Sequence, residues 1–173
     1  RNPTYNSYGV DEPKWMKDRT PLNATRLAKA DRQWRQRARS AESIADSVDA
    51  IMAKLKETGR DKDTLVVVTT DNGYHMAERR MFKGKRTPYA SDTVVPMIVI
   101  GPGVPPGITV DAMTSTIDLG PSFAQLLGAT APSWVDGRSL VDFFSAGETP
   151  EGWRNAVLSE SLGISTPEDP DYQ

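Results

Sequence analysis

The sequence predicts an α/β fold, and three observations carry this prediction. An unbroken apolar run, Leu65 to Val68, is typical of a strand buried on both faces, as in a parallel sheet covered by helices. Apolar residues recur at spacings of three and four from about Asn23 to Thr58, which predicts one long helix. A second apolar run, Val94 to Ile100, predicts another strand, interrupted by Pro96. We therefore expect a sheet with flanking helices.

Composition limits the function classes. The 173 residues suffice for one domain with a substantial core. A net charge of -2 and a pI near 5.5 give no electrostatic reason to expect nucleic acid as a partner. The absence of cysteine excludes disulfides, thiolate catalysis and thiolate zinc sites. Because no apolar run approaches the roughly 20 residues that cross a bilayer, the sequence predicts no membrane span.

The segment 1–22 is predicted to be an extended lead-in, because it is polar and is broken by three prolines. Its aromatic residues, Tyr5, Tyr8 and Trp15, are expected to hold it against the rest of the protein. A partly disordered terminus is an equally open interpretation.

The long helix is predicted to begin at Asn23, which caps it, and to stop at Gly59. Four arginines on this helix could indicate nucleic-acid binding. Their spacing distributes them around the helix, and acidic residues follow, so we interpret the run as a solvated face. The arginines are Arg32, Arg35, Arg37 and Arg39.

After the second strand, the sequence predicts smaller elements. Residues 108–113 are predicted to be a short edge strand, and Asp118 is predicted to cap a helix that stops at Gly128. A final strand is expected over 156–160. The helix is expected to bury Leu119, Phe123, Leu126 and Leu127. We therefore predict a domain over 23–165, followed by a loose acidic tail over 166–173.

A candidate site follows the first strand, which stops at Asp71-Asn72-Gly73. Ligands of open α/β sheets gather beyond the carboxyl ends of strands. A carboxylate beside a carboxamide offers the hard oxygen ligands that Ca²⁺ or Mg²⁺ prefers. Gly73 allows a sharp turn. On its own, however, this tripeptide is also common in ordinary turns, so the spacing leaves both interpretations open.

The connection from Gly73 to Pro96 is longer than most loops without secondary structure, and such loops are functional or disordered. Lys85 lies 14 positions after Asp71, so the loop has to fold back to bring its ammonium to the site. A lysine there suits an anionic oxygen, although an ordinary surface lysine is the alternative. His75, the sole histidine, is either a proton donor to a leaving group or a loop residue. Arg86 is a further candidate for substrate binding.

The segment TTDNGYHMAERRMFKGKRTPYASDTVVPMIVIGPGV resembles the second signature of the sulfatases, in the branch of N-acetylglucosamine-6-sulfatases and related arylsulfatases. The segments Asp118–Ser122 and Asp136–Leu140 add to the resemblance, which extends over nearly the whole chain. The resemblance implies that Asp118 introduces a core helix and is structural rather than a ligand. It implies the carboxyl-terminal part of an alkaline-phosphatase-like fold, with a mixed, mostly parallel sheet. It also implies that Asp71 and Asn72 bind calcium and that Lys85 binds and stabilises the sulfate group.

The resemblance also implies a formylglycine nucleophile, made from Cys or Ser in a Cys/Ser-x-Pro-x-Arg motif that this chain lacks. We therefore expect the nucleophile in an amino-terminal part, and no activity from this chain alone. The expected substrate is a sulfated sugar or aryl sulfate, and a secreted, periplasmic or lysosomal location is favoured. A phosphate or phosphonate monoester hydrolase of the same superfamily and a non-catalytic partner-binding domain remain as alternatives. The sequence does not indicate an oligomeric state.

Overall fold

The protein is described by a computed structural model over residues 2–146 and 149–160. Along the chain lie the helices α1 (Lys14–Lys17) and α2 (Ala24–Glu57), strand β1 (Val66–Thr69), helix α3 (Ala90–Thr93), strand β2 (Met97–Ile100), and helices α4 (Leu119–Leu126) and α5 (Val141–Ala146). Two 3₁₀ turns, Arg60–Lys62 and Thr116–Asp118, precede β1 and α4. The order of helices and strands confirms the predicted α/β class.

The described chain divides into two compact units. Unit 1 comprises residues 2–54, 72–96 and 160, and unit 2 comprises residues 55–71, 97–146 and 149–159. These units do not follow the boundaries predicted at residues 22 and 165, which stay a prediction. The predicted acidic tail over 166–173 lies outside the described residues.

Helix α2 confirms the predicted long helix and its start. Asn23 caps it, because the Asn23 side-chain oxygen accepts a hydrogen bond of 2.9 Å from the backbone amide of Arg26. Gly59 follows with a φ of 69°, the left-handed conformation that ends many helices. Within α2 the structure buries only Ala30 fully, so most of the apolar stripe is exposed in the part of the chain described.

The core of unit 1 is formed by the lead-in, α2 and the loop after β1. Leu22, Ala30 and Ala77 are buried together, and Tyr5 and Phe82 pack against them. Tyr5 also donates a hydrogen bond of 2.7 Å to Asp31. The lead-in is therefore held by an aromatic residue, as expected, and it contains the short helix α1.

Strands β1 and β2, in unit 2, pair antiparallel, with Val66 opposite Ile100 and Thr69 opposite Met97. The parallel, doubly buried arrangement expected for β1 is absent from this pair, and all four β1 residues are half-buried. The reason is the connection between the strands, which contains only the four-residue helix α3. A parallel pair needs a crossover back to the other end of the sheet, usually a long helix.

Helix α4 lies where the sequence predicts a helix, but its cap and buried face differ. Ser115 and Asp118 form a reciprocal capping box, so Asp118 reaches back instead of capping forward. Asp118 is fully buried and forms a bidentate ion pair with Arg154 at 2.7 and 2.9 Å, which agrees with a structural role. Helix α4 buries Pro121 and Ser122, on the side of the buried Asp118. Three residues that were predicted to be buried are exposed instead: Phe123, Leu126 and Leu127.

Two predicted strands are absent from the described residues. The segments 108–113 and 156–160 contain no strand residues. Both were predicted from apolar patterning alone, and a strand exists only where a neighbouring backbone completes its hydrogen bonds. Neither segment has such a neighbour within the described chain.

Candidate functional site

The acidic and amide pair lies directly beyond the end of β1, as the sequence predicts. Asp71 is exposed, and the Thr70 hydroxyl donates to its Oδ1 at 3.3 Å. Asn72 is half-buried, and its Nδ2 donates to the carbonyl oxygen of Gly73 at 2.7 Å. This bond fixes the orientation of the amide, so that Asn72 Oδ1 is the atom presented to other groups.

Lys85 folds back onto this amide. Its Nζ donates a hydrogen bond of 2.8 Å to Asn72 Oδ1, although 13 positions separate the two residues in the chain. The loop after β1 therefore folds back toward Asn72, as expected if Lys85 is to reach these residues. Lys85 is exposed, and a lysine ammonium is a compact point charge that suits an anionic oxygen.

The loop that carries Lys85 is held by a buried pair of His75 and Asp92. The His75 ring Nδ1 lies 3.0 and 3.1 Å from the two Asp92 oxygens, and both side chains are almost completely buried. The backbones of His75 and Gly84 pair as a bridge, with N–O distances of 2.9 and 3.1 Å. Asp92 Oδ2 also accepts from the amide of Thr87 at 3.0 Å and from its hydroxyl at 2.7 Å.

These contacts show that His75 and Asp92 fix the segment from Gly84 to Thr87, and with it the start of the Lys85 side chain. A catalytic role for His75 stays a prediction. Asp92 was not singled out by sequence reasoning, because a single aspartate in a polar loop gives no local signal.

Gly73 is required for close packing rather than for a special dihedral angle. A Cβ atom on Gly73 would lie 2.1 Å from the carbonyl oxygen of Ser91. The Gly73 amide donates to the Asp92 carbonyl at 2.8 Å, so the two segments are in direct contact. This contact brings Asp92 beside the residues that follow Asn72.

Arg86, the third candidate for substrate binding, is exposed, and its φ of 80° is unusual for a residue other than glycine. Such backbone strain clusters at functional sites. The structure places Arg86 next to Lys85 in the chain, and its role stays a prediction.

Asp71 and Asn72 offer the type of ligand atom that a hard cation prefers, but too few of them to complete its coordination. Asp71 and Asn72 are consecutive and offer carboxylate and carbonyl oxygens, the donors that Ca²⁺ prefers. Calcium takes about six to eight oxygens. Within the described part of the chain, no group of three or more His, Cys, Asp or Glu residues is placed to hold a metal. Asp71 and Asn72 can therefore supply only part of such a site.

A second buried cluster ties the lead-in to the loop after β1. Glu12 accepts a hydrogen bond of 2.6 Å from Arg79 Nε and another of 2.6 Å from the Tyr89 hydroxyl. Burial alone would raise the pKa of Glu12, but the hydrogen bonds from Tyr89 and Arg79 and the charge of Arg79 outweigh it and lower that pKa. Burial and the neighbouring Glu12 carboxylate raise the pKa of Tyr89 to about 12. Arg79 and Tyr89 are 67 and 77 residues from Glu12 in the chain, so local sequence patterns could not predict this cluster.

Similarity to known proteins identifies the fold and the family of this chain. The chain resembles solved structures with the alkaline-phosphatase-like α/β fold. The sulfatase family model matches residues 3–129, and the chain belongs to the sulfatase family.

Two curated relatives illustrate this membership. The N-acetylglucosamine-6-sulfatase of Homo sapiens is 31% identical over 94% of this chain and 30% of its own length. An extracellular sulfatase SULF-1 homolog of Drosophila melanogaster is 31% identical over 74% of this chain and 12% of its own length. The chain therefore spans less than a third of either relative.

Two solved structures are similar. One, in complex with its substrate D-glucosamine-2-N,6-O-disulfate, has a TM-score of 0.62 and 27% identity, over 66% of this chain and 23% of that chain. The phosphonate monoester hydrolase from Silicibacter pomeroyi has a TM-score of 0.58 and 43% identity, over 62% of this chain and 21% of that chain. Both similarities support the family assignment and the fold.

Proposed function

We propose that the protein containing this chain is a sulfuric ester hydrolase that acts on a sulfated sugar or an aryl sulfate. The observation that carries the proposal is the 2.8 Å hydrogen bond from Lys85 Nζ to Asn72 Oδ1. It holds a lysine ammonium against Asn72, a residue that follows β1 in the chain, and open α/β sheets bind ligands beyond the carboxyl ends of their strands. A sulfate ester is an anion, and a lysine ammonium stabilises negative charge that builds on its oxygens during reaction.

In this proposal Asp71 and Asn72 are part of a calcium site, completed by oxygens that these two residues do not supply. A formylglycine would come from a Cys or Ser outside these 173 residues, which contain no Cys/Ser-x-Pro-x-Arg motif. When present, these groups would supply the attacking hydroxyl and neutralise the sulfate oxygens. We therefore expect the 173-residue chain by itself to bind calcium weakly and to show no turnover.

His75 and Arg86 have supporting roles in the proposal. Arg86 adjoins Lys85 and adds a second cation for the substrate. His75 is 1% exposed, so its burial favours a role in positioning the Lys85 loop over direct contact with a leaving group. A sugar sulfate as substrate is supported by the human relative's name and by the glucosamine disulfate bound in one solved structure.

The experiment compares Lys85→Met with Lys83→Met in the complete natural protein. Lys83 is the matched control, because it lies two residues away and its ammonium approaches the Phe82 ring instead of Asn72. We expect kcat/KM for 4-nitrophenyl sulfate and for N-acetylglucosamine 6-sulfate to fall about 100-fold to 1000-fold in Lys85→Met, typical of losing one charge-stabilising donor. Equal activity of the two variants would contradict the role of Lys85.

A phosphonate monoester hydrolase is the second candidate, supported by the 43% identity to the Silicibacter pomeroyi enzyme. Phosphonate monoesters and sulfate monoesters both carry a single negative charge, so one lysine suits either. The single histidine of this chain argues against it, since related phosphate hydrolases bind transition metals through several Asp and His ligands. Values of kcat/KM for 4-nitrophenyl sulfate and 4-nitrophenyl phenylphosphonate distinguish the two, because their leaving group is the same.

The remaining alternative, a non-catalytic partner-binding domain, predicts no turnover of either ester by the complete protein. For the location we propose a secreted, periplasmic or lysosomal protein, supported by the name of the extracellular fly relative. Among the described residues, no helix has the length and apolarity of a membrane span.

A further inference from the structure

We propose that Glu12, in the lead-in, is a positioning residue for Lys85: it holds the loop that carries this lysine without itself contacting the substrate. The inference rests on the proposed role of Lys85 in sulfate-ester hydrolysis. It is argued from the cluster of Glu12, Arg79 and Tyr89, whose contacts the proposed reaction does not use. These three residues lie in unit 1, as do Asn72 and Lys85.

The cluster joins the two ends of the loop that carries Lys85. Arg79 precedes this lysine in the chain and Tyr89 follows it. The Arg79 guanidinium carbon lies 3.8 Å from the centroid of the Tyr89 ring, so the two ends are in direct contact. Glu12 binds both ends: its Oε1 accepts from Arg79 Nε and its Oε2 accepts from the Tyr89 hydroxyl, each at 2.6 Å. One carboxylate therefore fixes both ends of the segment 80–88.

Burial makes this arrangement specific. The side chain of Glu12 is 7% exposed and that of Arg79 is 19% exposed. A buried carboxylate is unfavourable unless it is paired and hydrogen-bonded, so burial of Glu12 favours the one arrangement in which Arg79 and Tyr89 keep these positions. An ion pair on the surface would hold the loop ends far less tightly.

The backbone around Arg79 is strained, and the lead-in holds it in this conformation. Ala77, Arg79 and Arg80 have φ values of 74°, 53° and 60°, which are unusual for residues other than glycine. Such strain persists only where the surrounding structure maintains it, and it clusters at functional sites. The Arg79 amide donates to the Thr4 carbonyl at 2.8 Å, and the Asn6 amide donates to the Ala77 carbonyl at 2.7 Å. The lead-in therefore positions the backbone of Arg79 as well as its side chain.

Tyr89 connects the cluster to the residues beside Lys85. Helix α3 begins directly after Tyr89, and the Tyr89 carbonyl accepts a hydrogen bond of 2.8 Å from the Asp92 amide. The Asp92 carboxylate accepts in turn from the amide of Thr87 at 3.0 Å, two residues from Lys85 in the chain. A continuous series of contacts therefore runs from the lead-in to the lysine of the candidate anion site.

The first test measures kcat for 4-nitrophenyl sulfate with the complete protein. Because misplacing a group by about 1 Å can cost about 100-fold in rate, we expect kcat to fall about 10-fold to 100-fold in Glu12→Ala. Asp11→Ala is the matched control, since Asp11 is the neighbouring carboxylate and is exposed, and we expect it to change kcat less than about twofold. Glu12→Gln can keep both contacts without the charge, so we expect an intermediate kcat. Equal kcat in the two alanine variants would overturn the inference.

A double-mutant cycle distinguishes positioning of Lys85 from a merely structural role. If Glu12 acts through Lys85, its loss has little effect once the ammonium is gone, so we expect Glu12→Ala to change kcat less than about twofold in a Lys85→Met background. A fall by the same factor in both backgrounds would show that Glu12 does not act through Lys85. If Glu12→Ala does not fold, Tyr89→Phe takes its place in the cycle, with an expected fall of about threefold to tenfold for one lost hydrogen bond.

Limited proteolysis examines the loop without relying on activity. Trypsin cleaves after Lys83, Lys85 and Arg86, and cleavage after Arg39 in helix α2 is the internal reference for global stability. In Glu12→Ala, or in Tyr89→Phe if that variant does not fold, we expect cleavage in the loop to accelerate about tenfold relative to this reference. An unchanged ratio would contradict the inference. If the wild type does not hydrolyse the ester, the proposed function fails, whereas this ratio still decides whether Glu12 holds the loop.

Discussion

Removal of the Asp92 carboxylate tests whether a buried acceptor organises the candidate anion site. The backbone amide of Thr87 and the ring Nδ1 of His75 each lie 3.0 Å from Asp92 Oδ2, and in Asp92→Ala both lose this carboxylate as a hydrogen-bond partner. Each buried or part-buried group that loses such a hydrogen bond costs about 1–3 kcal/mol. The Thr87 hydroxyl can turn elsewhere, so we count two such groups and expect a loss of about 4 kcal/mol in the free energy of unfolding.

Asp92→Asn gives a graded comparison. Asparagine keeps one oxygen, so it can still accept from either Thr87 or His75, but it lacks the charge that about doubles the strength of such bonds. We expect it to lose about 2 kcal/mol, half the loss of the alanine variant. Asp111→Ala is the control, because Asp111 is exposed, and surface changes of this kind stay within about 0.5 kcal/mol.

The assay is urea unfolding of the complete protein, followed by circular dichroism. For a slope of about 2 kcal/mol per M, a loss of 4 kcal/mol lowers the midpoint by about 2 M in Asp92→Ala, and the loss in Asp92→Asn lowers it by about 1 M. Hydrolysis of 4-nitrophenyl sulfate below the midpoint is expected to fall in the same order. An alanine variant within about 0.5 kcal/mol of the Asp111 control would refute the reasoning.

Two further predictions concern the same loop. Because the folded state raises the pKa of Tyr89 from 10.0 to about 12, this shift stabilises the fold fully below pH 10, and the contribution disappears as the pH rises through about 12. Tyr89→Phe is therefore expected to lose stability at pH 8 and to show a flatter decline in melting temperature between pH 10 and 12; an unchanged decline would contradict this. Gly73→Ala places a Cβ 2.1 Å from the Ser91 carbonyl, so we expect more than 3 kcal/mol of destabilisation, whereas Gly103→Ala, with open space around it but a φ of 78°, is expected to cost only about 1–2 kcal/mol. Similar melting temperatures for the two alanine variants would show that the close approach at Gly73 is absent.

Features determined by local sequence were predicted well. The long helix and its start at Asn23 follow from periodicity and a capping side chain, and both act within a few residues. Strand β1 follows from its apolar run, and the strand-end position of Asp71 and Asn72 follows directly from where that run stops. The fold-back of Lys85 is not a local feature; it was expected only as the condition for Lys85 to reach the strand-end residues.

Features determined by distant partners were not predicted. The direction of strand pairing depends on how the long connection returns, and the apolar runs do not encode it. Helix α4 turns a polar face inward because Asp118 pairs with Arg154, 36 positions later. The cluster of Glu12, Arg79 and Tyr89 likewise joins residues that are close only after folding.

The pairing of β1 with β2 has a consequence for handling the 173 residues by themselves. A sheet of two strands with four residues each has an outer backbone edge on both sides, and within the described chain no further strand pairs with either edge. Such edges are templates for another chain's strands, and two-stranded sheets are marginally stable in water. We therefore expect preparations of the 173 residues alone to aggregate through these unpaired strand edges. A lysine at Val67 or Val99 would discourage it by placing a charge on the sheet.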